Sequence, residues 1–166
     1  IICENLSFAY PLCKEKALSN INLKINRGEF VVLCGKSGCG KSTLSKTLIR
    51  LYKPDDGKIM FGKYGDLAMK EGASLQEARK DIQMVFQDPY SSLNPKKRIS
   101  FILEEPLKNL TDMTSEERRK KAEWILGEVG LDKEYLDRYP SELSGGQRQR
   151  VCIAQSMILG SDFLIM

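Results

Sequence analysis

Glycines at positions 35, 38 and 40, with Lys41, Ser42 and Thr43 directly after them, have the residue types and spacing best suited to chemistry. The run Gly35-Lys36-Ser37-Gly38-Cys39-Gly40-Lys41-Ser42 follows the pattern G-x-x-x-x-G-K-[ST]. It sits between an apolar run, Phe30 to Cys34, that predicts a strand and a stretch from Lys41 to about Leu51 that predicts a helix. That context marks a phosphate-binding loop. Phosphate oxygens need several backbone N–H groups converging on them, and glycine lets a chain wrap that tightly. A helix starting at Lys41 adds the positive end of its dipole. Lys41 supplies a point charge suited to β- and γ-phosphates, and the Ser42 hydroxyl is a ligand for Mg²⁺. The expected ligand is a nucleoside triphosphate, contacted from Gly35 through Thr43.

A second segment offers related chemistry. Leu143-Ser144-Gly145-Gly146-Gln147 precedes an uninterrupted helical stretch reaching about Leu159. Glycines at a helix start leave backbone N–H groups open to an anion, and Ser144 adds a hydroxyl donor. Alone, this reads as an ordinary capped helix. Beside a phosphate loop it reads as a second phosphate contact. The chain has no histidine, so no step within it uses imidazole. Its five cysteines (Cys3, Cys13, Cys34, Cys39, Cys152) are scattered without a CxxC pair, which points to reduced thiols and against a zinc site or disulfide framework.

The two segments together resemble the nucleotide-binding domain of an ABC ATPase: GKSGCGKS is similar to its Walker A loop, and LSGGQ followed by RQR to its signature. The resemblance implies ATP and Mg²⁺ as ligands. It also implies that two such domains pair head to tail, with residues 143–147 closing on the γ-phosphate held by the partner. Tyr10 is similar to the aromatic residue that stacks on adenine, although a core or strand-end tyrosine is the plain alternative. Gln87, after the apolar run ending at Phe86, matches the glutamine that senses Mg²⁺ and water and faces the transmembrane partner. The segment Met84 to Pro95, MVFQDPYSSLNP, resembles the subfamily that drives peptide and nickel importers. This implies permease subunits as partners, an extracytoplasmic solute-binding protein as an indirect one, and a peripheral place on the cytoplasmic face of the membrane. A non-transport ABC ATPase acting on DNA or ribosomes is the alternative.

These residues need a scaffold. Ile1 to Ala9, Leu18 to Ile25, Lys58 to Phe61, Ile82 to Phe86 and Phe163 to Met166 read as strands. Pro54-Asp55-Asp56-Gly57 reads as a turn, and Leu75 to Arg79 as a short helix. From Ile99 to Tyr139 the pattern is helical: Thr114 and Glu117 form a capping box, and Ala122, Ile125, Leu126 and Val129 repeat on one face before Gly130. The expected fold is α/β, a P-loop NTPase core of the ABC type with an α-helical subdomain and an N-terminal antiparallel β region. Its parts are residues 1–98 (β region and phosphate loop), 99–143 (helical subdomain) and 144–166 (signature helix and the start of the Walker B strand).

Composition sets the remaining bounds. With 42% apolar and 29% charged residues in a 166-residue chain, one ordinary globular domain is expected. Net charge is +4, but Lys96-Lys97-Arg98 and Arg118 to Lys121 read as solvated helix faces, so no nucleic-acid partner is expected. The chain starts at Ile1 inside a strand-like run and closes on Phe163 to Met166, so both ends read as cut from something longer. The Walker B Asp-Glu pair and the switch histidine of the family are expected beyond Met166. Asp162 lies at the wrong end of its strand to replace them, so residues 1–166 alone are expected to be inactive. Gln155 stands where the family usually has arginine.

Overall fold

The strand-like run at the start of the chain becomes the central strand of an antiparallel sheet. In the computed structural model, β1 (Ile2–Ala9) lies between β2 (Lys16–Lys24) and β3 (Asp56–Met60). Ile2 pairs with Lys24 on one side and Met60 on the other. The structure describes residues 1–13, 15–85 and 92–166, which divide into two units, Ile1–Arg79 and Lys80–Met166.

In the first unit Cys3, Leu6, Phe8, Leu18 and Ile59 are buried, and α1 (Lys41–Leu48) contributes Leu44, Thr47 and Leu48 to the interior. The helix stops short of Leu51 because Arg50 turns left-handed at φ 59°, and the N–H groups of Leu51 and Tyr52 both return to the Lys46 carbonyl. The Arg50 guanidinium is itself buried and bonds the carbonyls of Leu67 and Lys70 at 2.8 and 3.1 Å. α2 (Gly72–Lys80) closes this unit.

Two expectations need correction here. Gly57 is not in a turn: it lies within β3, opposite an irregularity of β1 where Asn5 takes φ 52°. A Cβ on Gly57 would sit 2.5 Å from the Asn5 carbonyl oxygen, so only glycine allows the two backbones this approach. Phe30 to Cys34 forms no strand; Phe30 is 83% exposed and Val32 66%. The apolar run signals a surface to be covered, but a strand also needs a ladder partner, and no described strand pairs with it.

The second unit pairs β4 (Ile82–Met84) with β5 (Phe163–Ile165) in parallel, Ile82 opposite Phe163. α5 (Gly145–Met157) packs on β4, and α3 (Ile99–Leu110) and α4 (Ser115–Glu128) pack on each other and on α5. Ile99, Leu103, Ala122, Ile125, Leu126 and Val151 are fully buried at the heart of one apolar cluster. The Thr114–Glu117 capping box forms as the sequence predicts: the Thr114 hydroxyl accepts from the Glu117 N–H at 3.3 Å, and Glu117 Oε2 accepts from the Thr114 N–H at 2.7 Å. No helix among the described residues is long and apolar enough to cross a membrane.

Candidate functional site

The phosphate loop lies in the first unit, exposed from Gly35 to Cys39. It ends at Gly40, which caps α1 at φ 94° and ψ 5°. A Cβ there would meet the Ala17 carbonyl of β2 at 2.8 Å, so glycine is required both by the left-handed backbone and by the neighbouring strand. No side chain caps α1, and no acidic residue occupies its first turn. Its leading N–H groups and dipole are therefore committed to nothing on the helix itself.

The Lys41 ammonium turns back over the loop. It donates to the carbonyls of Gly35 at 2.8 Å and Lys36 at 2.9 Å, and lies 3.6 Å from Cys39 Sγ. A cation held against an exposed turn, at an uncapped helix start, is a donor set matched to an anion with several oxygens. Ser42 is exposed on the same first turn, while Thr43 is buried. No group of three His, Cys, Asp or Glu side chains among the described residues could hold a metal by itself. The residues fit a Mg²⁺ that takes one hydroxyl ligand from Ser42 and the rest from phosphates and water.

Tyr10 stands in an aromatic cluster. Its ring meets Phe8 edge-on at 5.2 Å and Tyr52 at 5.6 Å, while Phe8 and Tyr52 stack in parallel at 5.1 Å. The Tyr10 hydroxyl is 2.8 Å from Thr43 Oγ1, so this tyrosine is bonded to the helix that follows the phosphate loop. Sequence reasoning missed Phe8 and Tyr52 as its supports; three aromatic residues spread over 45 positions carry no local signal. Gln87 lies outside the described residues, together with Phe86 and 88–91, so half of the Met84–Pro95 segment is not described.

The signature segment lies in the second unit. Leu143 is buried and anchors the start of α5, and Ser144 takes the N-cap position with φ −65° and ψ 164°. The Ser144 hydroxyl accepts from the Gln147 N–H at 3.3 Å, and Gln147 Oε1 accepts from the Ser144 N–H at 2.9 Å, a closed capping box. The hydroxyl keeps its own proton to donate. As at α1, no acidic residue occupies the first turn. Gly146 has open space where a Cβ would stand. A polar pocket of about 290 Å³ opens beside it, lined by Gly146, Gln147, Arg150, Tyr135 and Asp132. Asp162 is exposed and precedes β5, away from the strand's C-terminal end.

A profile of the ABC transporter family matches residues 18–166. The chain belongs to the ABC transporter family. It is 43% identical over 150 residues to the oligopeptide transport ATP-binding protein AppF of Bacillus subtilis strain 168, covering 90% of this chain and 46% of that protein. It is 43% identical over 151 residues to the dipeptide transport ATP-binding protein DppF of Escherichia coli K12, covering 90% and 45%. Against the nickel import ATP-binding protein NikE of Escherichia coli O157:H7 it is 42% identical over 152 residues, covering 92% and 56%. The chain thus spans about half the length of the curated relatives it matches.

Among solved structures, a dimeric ATP-binding cassette in a post-hydrolysis state with ADP and Pi matches this chain with a TM-score of 0.86 and 33% identity, covering 98% of the chain and 71% of the cassette. The cassette cbiO1 of Clostridium perfringens, part of the transporter complex cbiONQ, matches with a TM-score of 0.83 and 29% identity, covering 98% and 62%. The fold is the mixed α/β fold of ABC ATPase cassettes.

Proposed function

We propose that this cassette belongs to the ATP-hydrolysing subunit of an ABC importer for peptides or nickel. The observation that carries this reading is its 42–43% identity, over nine-tenths of the chain, to ATP-binding proteins of oligopeptide, dipeptide and nickel import. The geometry supports it with a cationic, uncapped helix start at Gly35–Thr43 and a second acid-free helix start at Leu143–Gln147.

In this reading Gly35 to Thr43 wrap the phosphates of ATP, Lys41 binds the β- and γ-phosphates, and Tyr10 stacks on the base. Ser42 and Gln87 would hold Mg²⁺, which when bound would supply positive charge against the phosphate oxygens. Ser144, Gly145 and Gly146 bind the γ-phosphate held by a second ATPase subunit, identical or related. Residues 1–98 serve as the β region and phosphate-loop core, 99–143 as the helical subdomain, and 144–166 as the signature helix and first part of Walker B. Permease subunits hold the protein at the cytoplasmic face of the membrane, and a solute-binding protein outside supplies the cargo.

Replacing Lys41 by Ala in the full-length protein tests the reading. Affinity for ATP is expected to fall about 100-fold, the loss of a charge-assisted contact to phosphate. Binding by titration calorimetry that is unchanged in Lys41→Ala would sink the assignment.

A further inference from the structure

The start of the signature helix is tied to the helical subdomain by two of its side chains, Gln147 and Arg150. Gln147 uses both ends of its amide: Oε1 accepts from the Ser144 N–H at 2.9 Å, and Nε2 donates to the Tyr135 hydroxyl at 2.8 Å. Tyr135 belongs to the 3₁₀ turn Lys133–Asp137, and the Arg138 guanidinium lies over its ring at 4.4 Å. One turn further along α5, Arg150 Nη1 donates to the carbonyls of Val129 and Gly130 at 3.3 and 3.1 Å, where α4 ends. A Cβ on Gly130 would lie 2.9 Å from that nitrogen, so Gly130 leaves the room Arg150 needs.

We infer that Tyr135 is a positioning residue for the signature segment: its hydroxyl fixes the Gln147 amide, which keeps the Ser144 box closed. The inference rests on the reading of residues 143–147 as an element that acts on nucleotide. A glutamine amide has several rotamers, and only one carries Oε1 back to the N-cap N–H. With Nε2 anchored, that rotamer is selected and the Ser144 hydroxyl keeps a fixed direction. Without the anchor, Gln147 exchanges its backbone partner for water, and the phosphate-facing donors lose their preset arrangement. Preset donors matter most where charge develops during a reaction and least where substrate merely binds. Arg150 holds the helix as a body; Tyr135 sets the one side chain that shapes its first turn.

The test uses the full-length ATPase in its native assembly. Tyr135→Phe removes a single oxygen and keeps the ring and its contact with Arg138. Turnover of ATP at saturation is expected to fall about fivefold, the worth of one neutral hydrogen bond. KM for ATP and the melting temperature should stay within about twofold and about 2 °C of wild type, since the phosphate loop and the core are untouched. In a Gln147→Ala background, Tyr135→Phe should cost nothing further, because the bond it breaks is already gone. A purely structural tyrosine would instead lower the melting temperature and act equally in both backgrounds. Full turnover in Tyr135→Phe, or an undiminished effect beside Gln147→Ala, overturns the inference. Lys41→Ala in the same assay separates the two failures: turnover that survives it overturns the nucleotide reading and this inference together. Loss of turnover in Lys41→Ala with full turnover in Tyr135→Phe overturns the inference alone.

Discussion

The phosphate loop and the signature segment both place glycine at the start of a helix without an acidic first turn, yet they are built by different means. At α1 the backbone does everything: Gly40 caps the helix in a left-handed conformation with no side-chain hydrogen bond. At α5 a side chain does it, since Ser144 and Gln147 cap each other in a closed box. The glycines differ accordingly. A Cβ on Gly40 would strike the Ala17 carbonyl at 2.8 Å, whereas a Cβ on Gly146 would meet nothing within 4 Å. Gly40 is required by the chain's own fold. Gly146 leaves room that the chain's own fold does not use, which is what an approaching phosphate needs.

The sharpest way to break this contrast is to put alanine at each position. Gly40→Ala forces a Cβ into a left-handed residue against β2, at a cost of about 3 kcal/mol or more. It should lower the unfolding midpoint in urea and abolish ATP binding together. A Gly40→Ala protein of normal stability would show that the loop glycine is not structural.

Gly146→Ala should do the opposite. Alanine favours helix over glycine by up to about 1 kcal/mol, so stability should hold or rise. Turnover should nevertheless fall about 100-fold, as for loss of a preset donor to a developing charge. ATP affinity of the phosphate loop should stay unchanged by titration. If Gly146→Ala destabilised the protein as Gly40→Ala does, the two glycines would belong to one class and the comparison would fail.

The same contrast governs what the sequence made legible. The phosphate loop follows a spacing rule because backbone geometry is local, and the two capping boxes at Thr114 and Ser144 are local for the same reason. β2, whose partner β1 is near in sequence, could also be read from its alternation at Leu18, Ile21 and Leu23. Phe30 to Cys34 could not, because an apolar run reports a need for cover without saying which strand supplies it. Gly57 reads as a turn because proline and aspartate precede it; its real constraint is the Asn5 carbonyl, 52 positions earlier in the chain. Tyr135, Arg150, Phe8 and Tyr52 act through contacts spanning 12 to 44 positions, and no short motif encodes such pairs.

The smallest effect separates the two capping boxes themselves. In the α4 box the reciprocal acceptor is the Glu117 carboxylate, whose pKa is held below its ordinary value by hydrogen bonds from the Thr114 N–H and hydroxyl. In the α5 box it is the Gln147 amide, which does not titrate. A carboxylate with a depressed native pKa adds stability that is fully present above its unfolded pKa and is lost as pH falls through the native value. Thr114→Ala should cost about 1 kcal/mol near neutral pH, the usual range for loss of an N-cap hydroxyl. That penalty should shrink as the pH falls through the carboxylate range. Ser144→Ala should carry a similar cost that stays level over the same range, because its partner holds no proton to gain. Urea unfolding of both variants and wild type, from about pH 7 down to about pH 4, reads the difference directly. Parallel pH profiles for the two variants would mean that the Thr114 hydroxyl gains nothing from the charge on Glu117, and that the carboxylate acts on the box through the Thr114 N–H alone.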